Sequence, residues 1–214
     1  MFMEQHVHGW SNVTRKIFNG VLLFSIASII VSVMGGISWF GKGVSIAAGG
    51  YAGVNIFTIL MWLFSLCAIA GYVLYMVGLG EMRTLVSASD SSAVGNIRMA
   101  VILMIISMVI DLFGVRILFW IGSILEIIAA IMMMVSFSKL RKSETMSEKA
   151  RSGFSQLFVA MLLIIIGVGI GIIFGWIPIL GYVAKVLAWV AGAVGFIMTI
   201  TGWTMVKNSP APML

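Results

Sequence analysis

Glu126 is the residue of this chain whose position most constrains its chemistry. It lies near the middle of an apolar run, residues 117–137, that contains no other charged residue. A charged side chain at the centre of a bilayer costs roughly 2.5–3.5 kcal/mol on insertion scales, so a carboxyl at that depth is expected to be neutralised, paired or used. The pattern favours a proton-coupled or cation-binding carboxylate. The alternative is a hydrogen-bonded structural carboxyl that joins two helices.

Small side chains flank Glu126 at helical spacing. Gly122 and Ala130 lie four residues before and after it, and Ser123 lies three residues before it. Residues three and four positions apart share one face of an α-helix. The spacing therefore predicts that the carboxyl points into a helical bundle, with Ser123 as a second member of a substrate or ion site.

Three further charged residues could gate or pair with this site. Asp111 and Arg116 flank the short connection between two apolar runs, and they would pair across it or gate an entrance. The alternative is an ordinary ion pair at the helix ends, which contributes about 0–1 kcal/mol. Lys185 would reach Glu126 only if its helix enters deeply, and otherwise its ammonium group snorkels to the membrane boundary.

The chain lacks the residue sets that catalysis or metal binding requires. Its two histidines, His6 and His8, lie near the N-terminus and do not complete a tetrahedral metal site, so a flexible tail is the alternative there. There is no Ser/His/Asp set, no HExxH or CxxC motif, and a single cysteine, Cys67. We therefore expect no enzymatic activity, no cofactor and no metal.

Composition indicates an integral membrane protein. Hydrophobic residues make up 61% of the chain and charged residues 9%, whereas soluble domains carry about 25% charged residues. The 214 residues have room for about six spanning helices of ~20 residues each. The predicted fold is all-α: one transmembrane domain, residues 1–214, that forms a six-transmembrane-helix bundle.

The net charge of +6 does not indicate nucleic-acid binding, because the basic residues form short clusters beside apolar runs. The expected partner is the lipid bilayer. Ten lysines and arginines fall on the side of the termini and the even-numbered connections, and three fall on the other side. By the positive-inside rule both termini are predicted to be cytoplasmic. The short connections favour a bacterial inner membrane.

Six apolar runs mark the predicted spans and group them into three helical hairpins. The third run is short, which predicts local thinning of the bilayer or burial of this span against its neighbours. The runs cover residues 17–40, 54–79, 97–113, 117–137, 154–174 and 177–206. A weak three-fold hairpin repeat is predicted over residues 11–83, 91–142 and 147–208. Ser11, Ser91 and Ser147 precede the odd-numbered spans and are predicted to cap their helices.

Small residues at four-residue spacing predict close packing of the last two spans. Such residues let helix backbones approach each other within a bilayer. A pore lining or an oligomer interface is the alternative. The predicted packing positions are Gly167, Gly171 and Gly175 in the fifth span and Ala184, Ala188 and Gly192 in the sixth.

Two functional hypotheses follow from the sequence. The first is a small transport or channel component with Glu126 as its central polar site. The second is a non-catalytic accessory or scaffold subunit that docks to a membrane-protein partner, and a homo-oligomer is compatible with both. A water-accessible polar cavity would favour the first hypothesis, and a Glu126 sealed in a helix contact would favour the second. No segment resembles a known family closely enough to carry residues over.

Overall fold

The structure is a computed structural model that describes residues 2–47, 56–112, 116–174 and 177–213. This part of the chain consists of six helices and short turns, with no strand. All six helices contain a segment long and apolar enough to cross a membrane, which confirms the predicted all-α architecture with six candidate spans. They are α1 (Phe2–Ala47), α2 (Ile56–Met82), α3 (Ala88–Leu112), α4 (Arg116–Leu140), α5 (Glu148–Phe174) and α6 (Pro178–Lys207).

The helices begin earlier than their apolar runs. Helix α3 starts at Ala88, well before residue 97 where its apolar run begins, and is 25 residues long. Helix α1 starts at Phe2, so His6 and His8 belong to a helix rather than to a flexible tail. Hydropathy marks the apolar part of a helix, whereas backbone hydrogen bonds continue through flanking polar residues.

The same early starts explain which serines cap helices. Ser147 precedes α5 as predicted, and its hydroxyl accepts a hydrogen bond (3.3 Å) from a backbone N–H three residues on. Ser91 lies inside α3, whose first turn is capped instead by the hydroxyl of Ser87 (3.3 Å). Ser11 lies inside α1. The predicted cap is thus confirmed at one position and wrong at two.

The six helices form a closed ring. Each helix packs against its neighbours in sequence, and α6 returns to pack against α1. Within the described ranges the helix backbones pack only against their ring neighbours, and side chains make the contacts across the ring. The most extensive packing joins α1 to α2, α3 to α4 and α5 to α6, so the ring is built from three antiparallel hairpins.

Glycines set the closest helix contacts. A Cβ on Gly20 of α1 would lie 2.6 Å from the backbone nitrogen of Tyr75, and one on Gly71 of α2 would lie 2.5 Å from that of Phe24. Real Cβ atoms essentially never approach so closely, so only glycine allows α1 and α2 to pack at this distance. The sequence patterns that we used did not single out either glycine.

The predicted close packing of small residues between α5 and α6 is present in part. A Cβ on Gly167 would lie 3.1 Å from the Cβ of Ala191 and 3.3 Å from the carbonyl oxygen of Ala188, and Ala184 is buried. Gly192 differs, because a Cβ there would meet nothing within 4 Å. It follows Ala191 by one residue, which turns it about 100° away from α5. The predicted packing positions Gly171 and Gly175 fall outside the described side chains.

Both termini lie at one end of the ring. We call this end the terminal half; it comprises the first halves of α1, α3 and α5 and the second halves of α2, α4 and α6. The remainder is the opposite half. In the terminal half, Trp203 of α6 meets three aromatic rings edge-on, with centroid distances of 5.5 Å to Tyr75, 6.4 Å to Phe137 and 6.1 Å to Phe154. Four helices thus contribute to one aromatic cluster that fills the ring.

Candidate functional site: an inward-facing carboxyl

Glu126 is hydrogen-bonded to helix α3. The hydroxyl of Ser107, which is fully buried, lies 3.1 Å from Oε1 of Glu126 and 3.1 Å from the carbonyl oxygen of Gly122. A serine hydroxyl has one proton, so it donates to these two acceptors in turn or shares the proton between them. Ser107 therefore orients the carboxyl and ties α3 to α4. The sequence signal was available, since Ser107 is the only serine of its apolar run.

The carboxyl lies on the face of α4 that points towards the axis of the ring. Gly122 one turn before it and Ala129 and Ala130 one turn after it are all buried. The outward face carries Ile124, which is 57% exposed. Ile124 and Glu126 are two residues apart, which places them about 200° apart around the helix. Glu126 thus occupies the face that the small-residue spacing predicted.

Glu126 is nevertheless an exposed residue. Because its face of α4 points inward, the accessible space beside it lies inside the ring. Along the inward face of α5, the exposure of the side chains increases from the terminal half towards the opposite half. Leu157 and Met161 are buried, Ile164 is partly exposed, and Val168 is 41% exposed.

Helix α6 borders the same space. Gly192 follows one turn after Ala188, and the position of its missing side chain is empty to beyond 4 Å. The described inward positions Glu126, Val168 and Gly192 therefore border accessible space in the opposite half. We call this space the vestibule.

The described walls of the vestibule are mainly apolar. Tyr72 stacks on Phe24 with a centroid distance of 4.2 Å and an interplanar angle of 9°, and it lies close enough to Glu126 for an electrostatic interaction. Partly exposed residues on the inward faces of α1 and α3 complete the described lining. The vestibule residues are Ser28, Tyr72, Met104, Met108, Glu126, Val168 and Gly192. Towards the terminal half, the Trp203 cluster closes this space.

The remaining predicted site residues are placed as follows. Ser123 is partly exposed beside Gly122 and has an interaction partner of its own. The side chains of Asp111, Arg116 and Lys185 lie outside the described residues, so their gating and pairing roles stay predictions. Among the described residues, no three His, Cys, Asp or Glu side chains form a group that could hold a metal ion.

A second polar cluster, which the sequence analysis missed, lies at the terminal end of the ring. The carboxylate of Asp90 is 6% exposed and accepts hydrogen bonds from the hydroxyls of Ser143 (2.6 Å) and Thr145 (2.7 Å). The carbonyl oxygen of Thr145 in turn accepts a hydrogen bond from the backbone N–H of Met213 (2.9 Å). Asp90 thus links the start of α3, the α4–α5 connection and the C-terminal segment.

Other bonds hold the two termini to the same end. The indole N–H of Trp10 donates to the carbonyl oxygen of Ser209 (3.2 Å). A ring nitrogen of His6 lies 3.2 Å from the carbonyl oxygen of Leu85, so this histidine packs on the α2–α3 connection. Lys16 and Glu81 form an ion pair between α1 and α2. These residues stabilise the terminal end and make no contact with the vestibule.

No family model, curated protein or solved structure matches the chain.

Proposed function

We propose that the protein is a small multi-pass membrane transport or channel component in which Glu126 binds the transported cation inside the ring. The observation that carries this proposal is an exposed carboxyl on the inward face of α4, near the middle of a helix that is long and apolar enough to span a membrane. A carboxylate at that depth is costly unless water or a cation reaches it. Exposure towards the ring interior supplies that access.

The surroundings of Glu126 support binding more than simple helix packing. The hydroxyl of Ser107 holds one carboxyl oxygen in place, and the small buried residues Gly122 and Ala130 add little bulk beside the carboxyl. A scaffold subunit would instead place the carboxyl in a sealed helix contact. The exposure of Glu126 favours transport over that alternative.

The proposed orientation follows from charge. Basic residues concentrate in the terminal half and its connections, which supports cytoplasmic termini by the positive-inside rule. The vestibule would then open to the non-cytoplasmic side, and the Trp203 cluster would separate it from the cytoplasm. We place the protein in a cell membrane, with a bacterial inner membrane as the proposed location.

Charge movement tests the proposal directly. The full chain would be reconstituted in liposomes on a solid-supported membrane and exposed to concentration jumps of protons, sodium, potassium and ethidium in turn. We expect a current with at least one of these cations, absent in Glu126→Gln. The matched control is Glu144→Gln, which removes a carboxyl exposed in the α4–α5 connection and should retain the current. Wild-type protein without any current, or a current unchanged in Glu126→Gln, would overturn the proposal.

Thiol labelling tests access to the site. Cys67 is exposed, so it is first replaced in a Cys67→Ser background. In that background, a charged methanethiosulfonate should label Glu126→Cys through the vestibule and should leave Ile124→Cys, on the proposed lipid-facing side, unlabelled. Equal protection of both cysteines in liposomes would show that water does not reach position 126.

A further inference from the structure

We propose that the groove between α2 and α3 binds the phosphate group of an anionic phospholipid at the terminal end of the ring. The groove carries two arginines, Arg83 and Arg98, and the two glycines that these arginines cover, Gly80 and Gly95. We call these four residues the arginine groove. The inference goes beyond the proposed function, because it involves no residue of the vestibule.

The two arginines pack across the groove in a reciprocal way. The guanidinium carbon of Arg98, in α3, lies 3.5 Å from the position that a Cβ on Gly80 of α2 would take. The Nε of Arg83, directly after α2, lies 3.7 Å from the corresponding position on Gly95 of α3. In both segments the glycine precedes the arginine by three residues, so both contacts fall within about two helical turns. Two guanidinium groups therefore enter the same short stretch of groove.

The two guanidinium groups have no acidic partner in the described part of the chain. Both arginines are exposed, and neither forms an ion pair or lies over an aromatic ring within the described ranges. Arg83 donates one hydrogen bond, from Nε to the hydroxyl of Ser91 (3.2 Å), which orients the side chain and leaves its terminal N–H groups available. The carboxylate of Glu81 pairs with α1, and that of Asp90 accepts hydrogen bonds from the α4–α5 connection. The groove thus presents two positive charges to an external anion.

The other two grooves between hairpins hold their cations differently. Arg141 lies over the ring of Phe158 in the α4–α5 groove, 4.1 Å from its centroid. Lys207 lies over the ring of Phe18 in the α6–α1 groove, 4.5 Å from its centroid. An aromatic face attracts a cation electrostatically. In the arginine groove glycines take the place of these rings, so its guanidinium groups remain free to bind a ligand.

Towards the opposite half, the surface beside the arginine groove is apolar. Val77 and Val73 precede Gly80 by three and seven residues, and Ile106 follows Gly95 by eleven, so each lies on the same face as its glycine. All three are exposed. A phospholipid has the same order, with a phosphate above acyl chains, whereas free phosphate would leave this apolar surface uncovered. The groove therefore fits a lipid rather than a soluble anion.

Charge favours an anionic lipid over a zwitterionic one. Guanidinium groups form paired hydrogen bonds to phosphate oxygens and stay charged at physiological pH. An anionic headgroup brings a net negative charge to the two arginines. A zwitterionic headgroup would place its own ammonium group beside them, and like charges repel.

The test compares two lipids with identical acyl chains, dioleoyl-phosphatidylglycerol and dioleoyl-phosphatidylcholine, titrated onto the purified full chain in detergent and counted by native mass spectrometry. For the first bound lipid, we expect phosphatidylglycerol to bind the wild type at least about tenfold more tightly. The double variant Arg83→Gln and Arg98→Gln should lose most of this preference.

The matched control removes the same charge from the same half of the ring. Arg15→Gln with Arg151→Gln replaces two exposed arginines outside the groove and should keep the preference. An equal loss in both double variants would overturn the inference, because the lipid would then respond to overall charge. A wild type without any preference for phosphatidylglycerol would overturn it as well.

A second pair of variants keeps the test informative if the double arginine variant fails to fold. A Cβ at Gly95 has ordinary contact distances to Arg83, so Gly95→Asp and Gly95→Asn both fit the groove. Gly95→Asp supplies an internal counter-ion and should weaken phosphatidylglycerol binding, whereas Gly95→Asn has the same shape without charge and should retain most of it. The same lipid preference in both variants would place the bound headgroup elsewhere and refute the proposed site.

Two further measurements identify the source of the phosphate and separate this inference from the proposed function. Millimolar ammonium phosphate should displace no more lipid than ammonium acetate of equal ionic strength, and specific displacement would assign the groove to a soluble phosphate instead. Glu126→Gln should bind phosphatidylglycerol as the wild type does. A missing cation current with this lipid preference intact therefore overturns transport alone, and a Glu126-dependent current without the preference overturns the lipid site alone.

Discussion

The terminal half and the opposite half of the ring use the same helices and the same inward faces, yet the described inward side chains are buried in one and more exposed in the other. In the terminal half, inward-facing Trp203 is 1% exposed, whereas in the opposite half Val168 is 41% exposed and Glu126 is also exposed. The contrast shows that the size of the inward-facing side chains, rather than helix amphipathicity, determines where the ring closes.

Side-chain volume supplies the physical reason. Aromatic rings from four helices meet in the terminal half, and together they fill the space that a ring of six helices encloses. The described inward positions of the opposite half carry smaller or flexible groups such as Ser28, Met108 and Gly192. The polar contacts of Asp90 and Trp10 further hold the terminal end together.

The largest expected effect comes from forcing apart a helix contact of the ring. Gly71→Leu would place a side chain where even a Cβ lies 2.5 Å from a backbone nitrogen of α1, so α1 and α2 cannot keep their packing. We expect loss of the monodisperse folded species in size-exclusion chromatography. Gly169→Leu is the matched control, because a Cβ at Gly169 meets nothing within 4 Å. Equal behaviour of the two variants would contradict the described α1–α2 contact.

The next effect is the loss of the aromatic closure. Trp203→Ala should cost about 3–5 kcal/mol, since it removes a fully buried aromatic side chain, and it should lower Tm. Trp62→Ala, at a position that is 56% exposed, should change Tm little. Trp203→Ala should also let a charged thiol reagent reach Glu126→Cys from the terminal side. If Trp203→Ala had a Tm as high as that of Trp62→Ala, the aromatic cluster would not be what closes the ring.

A smaller effect is expected at the terminal polar cluster. Asp90→Ala leaves the hydroxyls of Ser143 and Thr145 without their acceptor and should cost about 1–3 kcal/mol. Hydrogen exchange should speed up in residues 141–147 and in the C-terminal segment, while exchange around Glu126 stays unchanged. Glu148→Ala removes an exposed carboxyl nearby and serves as control. Uniformly faster exchange along the chain would mean that Asp90 stabilises the whole fold and not only the connections that it joins.

The smallest expected effect comes from adding a single methyl group to a glycine of α6 in each half. Gly192→Ala should leave Tm unchanged or raise it, because alanine favours a helix by about 1 kcal/mol over glycine and the space beside Gly192 is empty. Gly202→Ala makes the same change in the terminal half, where a Cβ would lie 2.8 Å from Leu157 and 3.0 Å from the carbonyl oxygen of Gly153. It should lower Tm. Equal Tm values for the two variants would contradict the difference in packing between the two halves.

The helices were predictable in existence and number, and less so in their ends. Six apolar runs were enough to find six helices, because hydropathy is a local property. The cap at Ser87 and the early start of α3 were missed, since a polar helix that continues beyond an apolar run has no hydropathy signal.

Parts of the candidate site were likewise visible beforehand. The sequence alone identified Glu126 as an isolated acid in an apolar run and placed it, by four-residue spacing, on a face with small residues. It could not identify Ser107 as the hydrogen-bond donor or Asp90 as the centre of a polar cluster. Those partners lie 19 residues from Glu126 and 53 and 55 residues from Asp90 along the chain.

By itself, then, the sequence determined the apolar helices, their number and the position of one carboxyl near the middle of its helix, because each of these depends on a local stretch of residues. The tertiary structure decided the rest. It closed α6 onto α1, brought Gly20 against Gly71, turned Gly192 away from α5, and left space beside Glu126. These features depend on which helices meet and on the volumes that face each other across the ring, and no local pattern encodes them.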